Sequence, residues 1–224
     1  MQVREYLSVR RAYNLVRQSM PVNERLTFEE FCILCHLHYA SSPMKTSDIA
    51  EYQHVLRPTM THRTNHLSDL GLIERFSGAT DKRTVCCTLT ERGRQTISAI
   101  AEACTEQITT GMALNRAEPE RMLKYANAMG TIYCTSGDLV LLCLGVSESM
   151  PLKVGILVER LGLLQPTASM AVRELSKEGL LVRDSRNPNS MRSGDIVLTK
   201  VGKDIADRLI DQIEGMVVRR KARK

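Results

Sequence analysis

The chain has 224 residues, 43% of them hydrophobic, with 31 Lys+Arg against 25 Asp+Glu, a net charge of +6 and a pI near 9.0. That length holds one large or two small domains, and the hydrophobic content suffices for packed cores. No apolar run reaches the roughly 18 residues of a membrane span and no secretory leader is evident, so a cytoplasmic protein without membrane association is expected; seven cysteines, an odd number, fit reduced thiols there.

The excess charge is small and uneven. Residues 1–110 carry +1 and residues 111–224 carry +5, all of the latter matched by the tail Arg219, Arg220, Lys221, Arg223 and Lys224. A polyanionic partner must therefore be argued from where the charges sit, not from their sum.

Residues 2–19 read as a helix, with Tyr6, Val9, Tyr13, Val16 and Met20 spaced as a packing seam. Pro21-Val22-Asn23 breaks it. Thr27 can cap the next helix, Glu30 completes a capping box, and Phe31, Leu34 and Cys35 form its buried side. Thr46 and Ser47 are cap residues for a short helix through Ile49 and Ala50. Pro58 restarts a helix where its missing N–H costs little. Met60, Thr64 and Leu67 give that helix one inward face, and Gly71 stops it. Residues 72–75 are strand-like, 77–83 are turn chemistry and 85–89 are strand-like again. A helix over 90–109 turns Ile97, Ile100, Cys104 and Ile108 inward. Gly111 marks the best boundary. A helix over 117–134 carries a second seam of Met122, Tyr125, Met129 and Ile132, and Gly137 leads into an apolar helix over 139–144.

The chain then repeats itself. Pro58-Thr59 returns as Pro166-Thr167, 108 positions on, with Leu56 as Leu164, Leu67-Ser68 as Leu175-Ser176, Gly71-Leu72 as Gly179-Leu180 and Arg75 as Arg183. Past one inserted residue, Arg83 returns as Arg192, Leu89-Thr90 as Leu198-Thr199 and Gly93 as Gly202. The expected fold is mainly α with small β-wings: two tandem winged helix-turn-helix units joined by a helical, dimerisation-like region. The first spans 1–110, with its helix-turn-helix at 46–71 and wing at 72–89; the second spans 111–224, with the same parts at 154–179 and 180–198.

A winged helix-turn-helix places one helix in a DNA major groove, N-terminal side chains toward the bases. In the first copy the outward set is Arg57, Thr59, Thr61, His62 and Asn65, flanked by Arg63 and His66 as phosphate contacts. Arg57 suits guanine, Asn65 suits adenine, and threonine methyls can touch thymine. Lys82 and Arg83 sit at the wing tip, placed for the minor groove or its phosphates. In the second copy the outward set is Gln165, Thr167, Ser169, Met170 and Arg173, with Arg186 and Arg192 on the wing and Glu174 repelling phosphate. Two unlike readers, roughly 34–36 Å or one turn apart, imply an imperfect or non-palindromic site.

The stretch HLSDLGLIERFSGATDKRTVCCTLTERG, with Asp81-x-Arg83 ahead of Leu-Thr-x-x-Gly, resembles the MarR family of bacterial transcriptional regulators. The duplication resembles its two-unit Sar-type members. The resemblance implies that Arg83 enters the minor groove and that Asp81 helps hold the wing; in the second copy Arg192 matches, but Asn189 or Ser190 stands where the aspartate would be. It also implies a small-molecule effector, and assembly as an intramolecular pseudo-dimer or a homodimer.

Other motifs read more plainly. Cys32-x-x-Cys35-His36 matches a haem-attachment pattern but lies inside an amphipathic helix, and with His38 it offers the only cluster approaching a zinc set. Both are read as core. Cys86 and Cys87 are adjacent in a strand, so one faces outward. No catalytic constellation or phosphate-cradling loop is present, and no enzyme, cofactor or metal is expected. The alternative to a DNA-binding regulator is a small-molecule or thiol-redox sensor that acts through a protein partner.

Overall fold

The computed structural model describes residues 1–78, 83–108, 118–147, 152–184 and 195–218. Those residues are mainly helical with two small antiparallel sheets, the winged-helix build expected. Helix α1 (Val3–Ser19) opens the chain. The first head follows as α2 (Phe28–Tyr39), β1 (Met44–Lys45), α3 (Thr46–Tyr52), α4 (Arg57–Asp69), β2 (Ile73–Ser77), β3 (Val85–Leu89) and α5 (Glu91–Glu106). After α6 (Pro119–Met129) comes the second head: α7 (Ser136–Gly145), α8 (Val154–Leu161), α9 (Gln165–Lys177), β4 (Leu181–Asp184), β5 (Asp195–Leu198) and α10 (Lys200–Glu214).

By packing, the described residues fall into two units whose bounds cross the sequence repeat. One unit joins residues 16–109 with 116–133, and the other joins residues 1–15 with 134–217. Helix α6 thus packs on α2 and α5 of the first head, and most of α1 belongs with the second. The physical reason is that the α1 and α6 seams are alike in pattern, so sequence order does not dictate which head each covers. In the second unit Asn14 Nδ2 and Arg11 Nε donate to the Leu161 and Glu159 carbonyls at 2.8 Å, closing the open end of α8.

Each head is built by the same local chemistry. Thr27 and Glu30 form the expected capping box on α2, and Thr135 with Asp138 forms its counterpart on α7, which therefore starts at Ser136, ahead of the expected 139. Helix α4 buries Met60, Thr64 and Leu67 and ends before Gly71, whose φ of 69° only glycine adopts freely. Gly179 ends α9 in the same way at 72°. In the first sheet β3 lies between β1 and β2, with Cys87 opposite both Met44 and Arg75. Cys87 is buried and Cys86 half-buried, the alternation of a strand. In the second sheet a single Leu152–Ile196 bridge stands where β1 would be.

The repeated Leu-Thr-x-x-Gly is a structural lock. Thr90 Oγ1 accepts from Gly93 N at 2.9 Å and donates to the Gly71 and Leu72 carbonyls, tying wing, turn and α5 together. Thr199 repeats all three bonds with Gly202, Gly179 and Leu180. A Cβ on Gly93 or Gly202 would overlap the Leu72 or Leu180 carbonyl oxygen, so the helix can approach this closely only through glycine.

Some expectations shift. Thr46 does not cap α3: Lys45 holds the N-cap position, and the Thr46 hydroxyl donates instead to the Val85 carbonyl at 2.9 Å, binding α3 to the sheet. Helix α5 ends at Glu106, leaving Ile108 half-buried beyond it. Helix α6 runs only from Pro119 to Met129, short of 134, and at its C-cap Gly130 the Tyr52 ring lies where a side chain would stand.

Candidate nucleic-acid interface

Helix α4 presents its N-terminal face to solvent. Arg57, Thr59, Thr61, His62 and Asn65 are all exposed, while Met60, Thr64 and Leu67 anchor the opposite face. The Thr61 hydroxyl donates back to the Arg57 carbonyl at 3.0 Å, which turns its polar bond inward and leaves its methyl for contacts. The Thr64 hydroxyl, buried, does the same to Met60. Arg83 is exposed just before β3; Asp81 and Lys82 lie outside the described residues.

Two flanking residues are tied down. Arg63 Nη1 donates to Gln53 Oε1 at 2.6 Å, and Gln53 Nε2 donates to the Glu29 carbonyl, so Arg63 is half-buried and turned toward α3. His66 Nδ1 sits 2.7 Å from Glu30 Oε1. That carboxylate is buried and also accepts the Thr27 N–H through its other oxygen, so His66 ties α4 to α2 through Nδ1.

In the second head Gln165, Met170 and Arg173 are exposed on α9, whereas Thr167 and Ser169 are half-buried. Lys177 Nζ bonds Glu174 Oε1 at 2.8 Å and, ahead of the Coulomb effects of Lys177 and Arg173, holds that carboxyl below its usual range. Arg186 and Arg192 of the second wing lie outside the described residues.

Sequence reasoning missed one pair. Leu56 and Leu164 stand at the N-cap of α4 and α9 in the same extended backbone, 77% and 53% exposed. A leucine this exposed at the same place in two copies makes no core contact that would account for it. The repeat itself was the available signal, since Leu56 and Leu164 lie outside both inward faces.

Four of the seven thiols are held protonated by burial. Burial pushes the Cys35 thiol well up, with Cys104 adding to it, and pushes Cys104 up to about 12; Cys87 and Cys143 are raised by burial as well. A thiol so protonated is a weak nucleophile. The Cys32-x-x-Cys35-His36 motif goes to packing: both cysteines are fully buried, and His36 stacks on Tyr52 with centroids 3.7 Å apart and bonds Asn127 at 2.9 Å. Burial lowers the pKa of His36 against the opposing Asn127 bond. Among the described residues no group of three or more His, Cys, Asp or Glu is placed to hold a metal, and no helix is long and apolar enough to cross a membrane.

Residues 18–100 match the family described as transcriptional regulator SarA/Rot. The matched stretch covers most of the first head. That family comprises transcriptional regulators, not enzymes. Solved structures similar to the chain include transcriptional regulator PA4135, at 26% identity over 37% of this chain and 60% of that one, with a TM-score of 0.34. BpsR of Bordetella bronchiseptica, whose DNA binding is regulated by 6-hydroxynicotinic acid, is 23% identical over 47% of this chain and 76% of its own, at 0.37. A mutant MarR from E. coli complexed with operator DNA is 20% identical over 55% and 74%, at 0.35. The chain thus spans under two thirds of the first of these. No curated protein matches it.

Proposed function

We propose that the protein is a sequence-specific DNA-binding transcriptional regulator that reads an operator with α4 and α9 in major grooves and its two wings on the minor groove. The observation that carries this is the exposed polar face of α4, set by a SarA/Rot fold on a buried Met60, Thr64 and Leu67 anchor. Arg57 and Asn65 make the bidentate base contacts, Thr59, Thr61 and His62 line the groove, and Lys82 and Arg83 take the wing. On α9, Gln165, Thr167, Ser169 and Arg173 read a weaker second half-site, with Arg186 and Arg192 on its wing. Residues 1–110 and 111–224 act as two tandem winged units in the cytoplasm, with a small-molecule effector as an optional partner.

The test is binding to the DNA upstream of the protein's own coding region, followed by gel shift. Arg83→Ala is expected to weaken specific binding by about 1–3 kcal/mol, the scale of one good contact, while thermal stability stays nearly unchanged. Equal binding by wild type and variant removes the wing from the interface, and no shift with wild type on any duplex removes DNA binding altogether.

The exposed N-cap leucines extend the reading. The thymine methyl is the one apolar group on the base edges of the major groove, and Leu56 and Leu164 precede the reading residues on the side that enters the groove. Replacing thymine by deoxyuridine across a bound site should weaken the wild type and leave Leu56→Ala less affected. The same sensitivity in both would separate Leu56 from thymine contact.

The twin seams of α1 and α6 support a single-chain pseudo-dimer. Light scattering of the DNA-competent species should give a mass near the 25.2 kDa of one chain. A persistent dimer at nanomolar protein would favour the homodimer.

A further inference from the structure

The two heads differ where the N-terminus of the leading helix meets the reading helix. In the first head that place is filled. Phe28 is buried beside Phe31, ring centroids 6.5 Å apart. Glu30 meets His66, and Arg63 reaches Gln53. In the second head, 108 positions on, Phe28 gives way to Ser136, Glu29 to Gly137, Arg63 to Ala171 and His66 to Glu174. An aromatic ring, a guanidinium and an imidazole are lost together, and an open cleft of about 610 Å³ lies there between α7, α9 and α10. Leu141, Leu175, Leu180 and Ile205 give it apolar walls; Asp138, Glu174 and Glu178 also line it, and no Lys, Arg or His among the described residues does.

We propose that this cleft binds a small organic cation with an apolar body, of the arylalkylammonium class. Its volume lies within the range of about 300–1,000 Å³ that small-molecule pockets occupy. The walls reward burial of a hydrocarbon body, which would stand where Phe28 stands in the first head. The carboxylates are in surplus. Asp138 commits Oδ2 to the Thr135 cap, Glu174 has Lys177 at 2.8 Å, and Glu178 pairs with no cation among the described residues. The first head answers its buried Glu30 with an imidazole from His66; the second has exchanged that donor for another carboxylate, so a ligand ammonium takes the vacated role. An anion would meet like charge, and the N-terminus of α7 offers it little because Asp138 already caps it. The cleft also includes Thr167 and Met170, which belong to the outward set of α9, so an occupant would touch the reading helix directly. The site itself does not depend on DNA binding.

The test uses the full chain with methyl-labelled methionine, titrated with 2-phenylethylammonium chloride, 2-phenylethanol and phenylacetate. These share one body and carry a positive, neutral and negative head. Met170, 66% exposed at the rim, is the reporter, its signal identified by Met170→Leu. The expected result is a saturable millimolar shift in the order ammonium, alcohol, carboxylate. Glu174→Gln should weaken the ammonium about two- to fivefold, as loss of an exposed ion pair does, and leave the alcohol unchanged. Ser136→Phe and Ala171→Arg restore residues of the first head and should abolish binding of all three; if Ser136→Phe does not fold, Ala171→Arg carries this arm. No response to the ammonium, equal response to the three probes, or undiminished ammonium binding by folded Ala171→Arg would each overturn the proposal.

Discussion

Alanine at Gly93 is expected to destabilise the first head by about 3 kcal/mol, the upper end of the ordinary cost of overpacking. The sign is the informative part. Within a helix, Gly→Ala normally stabilises by up to about 1 kcal/mol, because glycine loses more backbone freedom on folding. At Gly93 the new methyl overlaps the Leu72 carbonyl oxygen and crowds the Leu89 side chain, and a backbone carbonyl cannot swing aside as a side-chain tip would. That same carbonyl accepts from Thr90, so moving it loosens the lock between wing and α5. Gly202→Ala should behave alike against Leu180 in the second head. Gly155 is the control: it is helical, exposed, and has nothing within 4 Å of an added Cβ, so Gly155→Ala should leave stability unchanged or raise it. Urea unfolding followed by far-UV circular dichroism checks all three. A neutral Gly93→Ala would mean that the close approach of α5 to the wing contributes nothing.

The second large effect falls on DNA. Arg57→Ala or Asn65→Ala should each cost about 1–3 kcal/mol of discrimination between the preferred base and its alternatives, the worth of one bidentate contact. Both side chains are exposed on a helix whose other face is fixed by Met60, Thr64 and Leu67 and by the His66–Glu30 contact. Gln165→Ala and Arg173→Ala should cost less, because Thr167 and Ser169 beside them are half-buried and Glu174 presents a carboxylate to the backbone. Fluorescence anisotropy against single-base variants of a bound site gives the four values. Unfolding midpoints should stay within the small range of surface substitutions, about 0.5 kcal/mol.

Much of the fold was legible because its signals are local. The Thr27–Glu30 capping box, Pro58 opening α4, Gly71 closing it and the 108-residue repeat each act within a few residues or by direct self-comparison. What was not legible depends on distant partners. The destination of α1 and α6 follows from two similar seams choosing between two similar heads, which no local rule decides. His66 reads as a surface histidine until Glu30, thirty-six positions earlier, is seen beside it. Thr46 reads as a cap until the Val85 carbonyl is found above it. The outward face of α4 was readable because three buried positions fix the phase of a helix; Leu56 was missed because it precedes the helix and so has no phase.

The asymmetry between α4 and α9 is the core of the functional account, and selection of bound sites from random double-stranded DNA by the wild-type chain tests it most directly. One recurrent site with two different half-sites is expected, one strongly and one weakly specified, the strong half relaxing in Arg57→Ala and Asn65→Ala. A perfect palindrome that loses equally when either copy is altered would contradict it.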